Sequence, residues 1–87
     1  MYKYEEQKQH IFSEDMQETF LKIRDNVHKL LKSSGAVTMG NAIAGATGGD
    51  SWKLMACVDR LVELKEIKEV ERKSWGQFRI FVPYYEE

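Results

Sequence analysis

Apolar side chains recur most regularly between Met16 and Leu31. Met16, Phe20, Ile23, Val27 and Leu30 follow one another at spacings of four and three, with Leu31 beside them. At about 3.6 residues per turn these positions form one stripe, so the spacing predicts an amphipathic helix facing a core. Ser13 stands where an N-cap belongs, with Glu14 and Asp15 in the first turn, and Gly35 stands where a left-handed residue would end the helix. Glu18–Lys22 and Asp25–Lys29 on the opposite face are i,i+4 pairs of the favourable order. Residues 1–12 alternate loosely around Tyr2, Tyr4, Ile11 and Phe12 and read as an N-terminal arm. Leu21 falls off the stripe, on a flank shared with Gln17, Arg24 and His28. It reads either as an isolated exposed leucine or as a dimer contact, with His28, between two such helices.

The pattern then changes. Ala36 and Val37 suit a very short strand, and Thr38 is placed to cap a helix over residues 39–46. Gly40 and Gly45 make that helix weak on its own, so packing must hold it. Thr47, Gly48 and Gly49 form a turn, and Asp50 caps a second helix reaching about residue 64. In that helix Leu54, Cys57, Val58 and Leu61 share an inward face, which puts Trp52, Met55, Ala56, Asp59 and Glu63 outward. Residues 67–72 and 77–82 are rich in β-branched and aromatic side chains and read as two strands with residues 73–76 as the hairpin tip. Phe78, Ile80 and Val82 share one face of the second strand, and Gln77, Arg79 and Phe81 the other. Pro83 stops the strand, leaving residues 83–87 as a tail. The expected organisation is one α+β domain over residues 13–82.

Composition narrows the choices. With 43% hydrophobic and 31% charged residues the chain belongs to the globular class. No apolar run approaches the roughly 18 residues of a membrane span, and the polar start MYKYEEQKQH is unlike a secretory signal. The single cysteine, Cys57, cannot form an internal disulfide and sits at core spacing. A cytoplasmic protein without contact to membranes is expected. The net charge of −1 lacks the basic bias of a non-specific nucleic-acid binder, although a local patch suffices for a specific one.

The same residues argue against catalysis and cofactors. His10 and His28 lack metal-ligand spacing with Cys57, and no Gly-Lys-Ser/Thr follows Gly45, Gly48 and Gly49 to make a phosphate loop. Neither an enzyme nor a cofactor is expected.

The most specific feature is the run from Ile43 to Leu61. Ala44, Gly48, Leu54 and Cys57 have the spacing of a helix-turn-helix, in which a small residue lets two helices approach and a glycine permits the bend. Ile43-Ala44-Gly45-Ala46-Thr47-Gly48, Val58-Asp59-Arg60-Leu61 and Ile67-Lys68-Glu69-Val70 resemble the bacterial winged helix-turn-helix regulators, including the MarR-like families, over roughly residues 36–82. Those families carry L-A-x-A-T-G-L-S-x-x-x-[VL]-x-x-x-[LV]-D-R-L, a short linker and a two-stranded wing. The chain departs from that pattern at Gly49, where an apolar residue usually plugs the turn, and at Lys65-Glu66, where a glycine usually follows the second helix.

The resemblance implies a winged helix-turn-helix fold, a small transcriptional regulator bound to double-stranded DNA, and a homodimer. The helix from Ser51 would enter the major groove with Ser51, Trp52, Lys53, Met55, Ala56 and Arg60. The wing would bring Lys68, Arg72, Lys73, Trp75 and Arg79 to the DNA. One observation favours a different use of the same fold. The outward face carries two carboxylates and two large apolar side chains, a poor match to base edges, which Arg, Lys, Asn and Gln read best. A protein-interaction module with Trp52 and Met55 at the contact is the alternative.

Overall fold

The computed structural model describes residues 2–46, 51–70 and 78–84. Its elements are α1 (Tyr4–Ile11), α2 (Glu14–Ser34), β1 (Val37–Thr38), α3 (Met39–Ile43), α4 (Ser51–Glu63), β2 (Ile67–Glu69) and β3 (Ile80–Pro83). Helices pack against a three-stranded antiparallel sheet of order β1-β3-β2, so the class is α+β. Val37 pairs with Phe81, and Lys68 pairs with Val82.

The longest helix forms as its pattern requires. The Ser13 hydroxyl accepts the Met16 amide at 3.3 Å, and Gly35 takes φ +77° while its amide donates to the Leu31 carbonyl at 2.8 Å. Met16, Ile23, Val27 and Leu31 are buried, Phe20 and Leu30 are partly so, and the Glu18–Lys22 pair closes at 3.3 Å. The stripe meets Leu54, Cys57, Val58 and Leu61 of α4, all buried, and Phe81 lies fully buried in the same core. The Phe81 face of β3 is therefore the core face, and Phe78 is 68% exposed.

Three elements differ from the sequence reading. Residues 4–11, expected as an arm, form a helix whose Ile11 is 1% exposed and which packs chiefly on α4. The third helix ends at Ile43 rather than residue 46, because Ala44 leaves it with ψ 132° and Gly45, at φ +78°, completes a turn in which the Ala46 amide donates to the Ile43 carbonyl at 3.1 Å. Asn26 of α2 secures that end by donating to the carbonyls of Asn41 at 3.1 Å and Ala42 at 3.0 Å. Among the described residues the last two strands cover 67–69 and 80–83, and Pro83, expected to stop the strand, instead lies within it and pairs with Ile67. The turn over residues 47–50, its Asp50 cap and the hairpin tip lie outside the described residues.

The end of α4 shows what replaces the missing glycine. The Glu66 amide donates to the Leu61 carbonyl and the Lys65 amide to the Val62 carbonyl, both at 3.0 Å, and Lys65 takes φ +62°. These two bonds make a Schellman motif with a lysine at its left-handed position.

Candidate functional site

The outward face of α4 divides into an open end and a closed seam. Ser51 and Trp52 in the first turn are exposed, Trp52 at 41%, and Lys53 is half-buried. Met55 is half-buried and packs against the core. Beyond Met55 the face closes: Ala56 is buried and Asp59 half-buried, while Glu63 at the far end is exposed but ion-paired. Ala56 is 0% exposed and lies in the buried core, so it cannot touch a nucleic-acid groove, and α1 packs against the same helix.

Polar contacts fix α1 over this seam. The Tyr2 hydroxyl donates to Asp59 Oδ2 at 2.5 Å, the Tyr4 hydroxyl to Glu63 Oε1 at 3.3 Å, and Lys8 Nζ to Glu63 Oε2 at 2.9 Å. Burial, followed by the bond to Asp59, pushes the Tyr2 phenol well above its ordinary range, and burial with the Glu63 charge pushes Tyr4 up to about 12. The Lys8 hydrogen bond, with help from Arg60, holds the Glu63 carboxyl below its usual range. Arg60, expected at DNA, instead pairs with Glu63 on its own helix and lies 5.5 Å from the centre of the Phe12 ring.

The base of the hairpin joins the same seam. Arg79 donates to Asp59 Oδ1 at 2.7 Å and Oδ2 at 3.2 Å, and to Glu69 Oε1 at 2.7 Å and Oε2 at 3.0 Å. Its guanidinium also stacks 5.3 Å from the Phe81 ring centre. The hydrogen bond to Glu69, followed by that to Asp59, raises its already high pKa. Arg79 is thus a structural tie between β2, β3 and α4, not a cation available to phosphates. Asp59 receives α1 on one side and β3 on the other. Lys8, Arg60 and Arg79 carry three positive charges and Asp59, Glu63 and Glu69 three negative ones, so the seam is neutral.

The other expected site residues are dispersed. Lys68 is exposed on the outer face of the sheet. Arg72, Lys73 and Trp75 lie outside the described residues. Leu21 is 51% exposed, and His28 contacts Glu66 Oε1 at 2.8 Å, an oxygen that Arg24 shares at 2.8 Å. Burial works against ionisation of Glu66, but its bonds to Arg24 and His28 outweigh that and lower its pKa.

The seam residues Tyr2, Tyr4, Lys8 and Ile11 were absent from the sequence reading of the site. Tyr4, Lys8 and Ile11 do stand at i, i+4 and i+7, the spacing of a helical stripe, and that signal could have found them. Among the described residues, no group of three or more His, Cys, Asp or Glu side chains could hold a metal, and no helix is long and apolar enough to cross a membrane. The chain matches no protein-family model, no curated protein and no solved structure.

Proposed function

We propose that the chain is a winged helix-turn-helix protein that binds double-stranded DNA as a small cytoplasmic regulator. Its contact is narrower than the resemblance implies. The first turn of α4, with Ser51, Trp52 and Lys53, meets the major groove, and the wing, with Lys68, Arg72, Lys73 and Trp75, meets the backbone. The observations that support this reading are the chain order α2-β1-α3-α4-β2-β3 with sheet order β1-β3-β2, and the exposure of Ser51 and Trp52 in the first turn of α4. Recognition helices read bases chiefly through their N-terminal residues. The covered seam therefore removes Ala56, Arg60 and Arg79 from the contact without removing the open end.

The test is fluorescence anisotropy with a labelled mixed-sequence duplex over increasing salt. Affinity should fall with salt, and Arg72→Ala with Lys73→Ala should lower the salt slope by about one unit per lost phosphate contact. No measurable affinity at low salt would sink the DNA reading.

The protein-interaction reading has its own support. The exposed indole of Trp52 stands beside Met55, while Arg60 and Arg79 are withdrawn into ion pairs. An indole offers one donor and reads bases poorly, but it is a frequent interface anchor. Loss of a protein partner on Trp52→Ala, with no DNA affinity beforehand, would favour it.

A further inference from the structure

Two residues, Phe12 and Ser13, separate two helices at the start of this chain. α1 ends at Ile11, Phe12 already has helical dihedrals (φ −83°, ψ 0°), and α2 begins at Glu14. Ser13 lies between them at φ −73° and ψ 153°. Only ψ of Ser13 is far from helical values. Turning it would join residues 4–34 into one helix about 46 Å long at 1.5 Å per residue.

The contacts of α1 can survive that change only on another molecule. Tyr4, Lys8 and Ile11 face α4, through Glu63 and the buried seam around Ala56. In a continuous helix, at about 100° per residue, they would lie roughly 60–160° around the axis from Met16, Ile23 and Val27. They would also extend up to about 15 Å beyond residue 14. With the α2 stripe still in its own core, the α1 stripe would point away from its own α4. The seam left behind, with Ala56, Asp59 and Glu63, is complementary to an α1 and neutral only when Lys8 is present.

We propose that α1 exchanges between two copies of the chain. Each α1 docks on the α4 of the other copy, and the two α1–α2 segments straighten. The occupant of the seam is then the partner's α1, making the same contacts reciprocally about a two-fold axis. A hinge this short favours exchange, because the bent and straight forms differ in little else. This dimer is distinct from a contact along the exposed Leu21 flank, and it does not depend on the DNA reading.

Two substitutions push the hinge in opposite directions. Glu14→Pro places proline at the first helical position, where it is favoured, behind a Ser13 already in the extended region that precedes proline well. In the straight helix the same proline would be interior and disruptive. Ser13→Ala removes the cap and inserts the best helix former. Loss of the cap weakens the bent form about five-fold per chain. Two chains straighten per dimer, so the dimer dissociation constant should fall about 25-fold, the square of that factor.

The experiment is sedimentation velocity of the full chain and both variants from roughly 10 to 500 μM, the range of ordinary micromolar association. Circular dichroism checks that each variant folds. Carbodiimide cross-linking of mixed light and ¹⁵N-labelled chains then reads the Lys8–Glu63 link. The exchange predicts dimers for Ser13→Ala, mixed-isotope Lys8–Glu63 peptides in those dimers, and a monomer for Glu14→Pro. It is overturned if Ser13→Ala stays monomeric throughout, or if its dimers carry only same-chain links. It is equally overturned if folded Glu14→Pro dimerises as wild type does, or if Leu21→Asp alone abolishes the dimer.

Discussion

Arg79→Met tests the largest departure from the sequence reading. As a wing cation on DNA, Arg79 could be removed with little effect on stability. As the tie described above, it cannot. Its side chain is 16% exposed, and its partners Asp59 and Glu69 are 12% and 34% exposed. Removal leaves the Asp59 carboxylate in a dry setting with only the Tyr2 hydroxyl. Breaking a fully buried pair costs about 3–5 kcal/mol, whereas Glu69 can turn to water, so a loss of about 2–3 kcal/mol is expected. A domain of this size has about 4–13 kcal/mol in all, and each kcal/mol shifts Tm by about 4–8 °C. Tm should therefore fall by about 8–24 °C, read by circular dichroism or calorimetry. Arg79→Lys should rescue little, because an ammonium cannot make the forked contacts. Arg79→Met combined with Asp59→Asn should be markedly non-additive, with a coupling above about 1 kcal/mol. A fall in Tm under about 3 °C, or additive single effects, would refute the reasoning and return Arg79 to the solvent-facing wing.

Lys65→Gly relieves a left-handed conformation that costs a side-chain-bearing residue about 1–2 kcal/mol, against about 0.5–1 kcal/mol of extra glycine entropy. A rise in Tm of a few degrees is expected, with no rise for Lys65→Ala (the control that keeps a Cβ). Burial pushes the Cys57 thiol up to about 11, so the fold holds it neutral. Its folded value exceeds the unfolded one, near 8.5, so that contribution is intact below about pH 8.5 and lost as pH rises towards 11. Wild type should lose stability over that window more steeply than Cys57→Ala in urea titrations, and native Cys57 should react with a thiol reagent only as fast as the domain opens.

What the sequence made legible follows from range. The α2 stripe, its Ser13 and Gly35 caps and the inward face of α4 are written in spacings within one element, and each appears in the structure. The helical state of residues 4–11 is not, because its supports lie far along the chain: Tyr2 meets Asp59, and Lys8 meets Glu63, more than fifty residues on. Helical phase put Ala56 on the outward side of α4, whereas the structure buries it in the core. Phase could not say that a second helix would cover that side. Arg79 failed for the same reason. A cation in a strand is read as exposed until its partners are known, and Glu69 and Asp59 are ten and twenty residues away.

The placement of β3 bears on the order in which the molecule can be made. β1 and β2 never touch; each pairs only with β3, which emerges from the ribosome after every other described element. Until residues 80–83 arrive there is no sheet, and Val37 and Ile67 lack Phe81 between them. The helical layer, whose contacts are partly local, can collapse early but must wait for its closing piece. The sheet therefore cannot form during synthesis before β3 is available, and a ribosome stalled just short of it would carry these helices with no sheet to close their core.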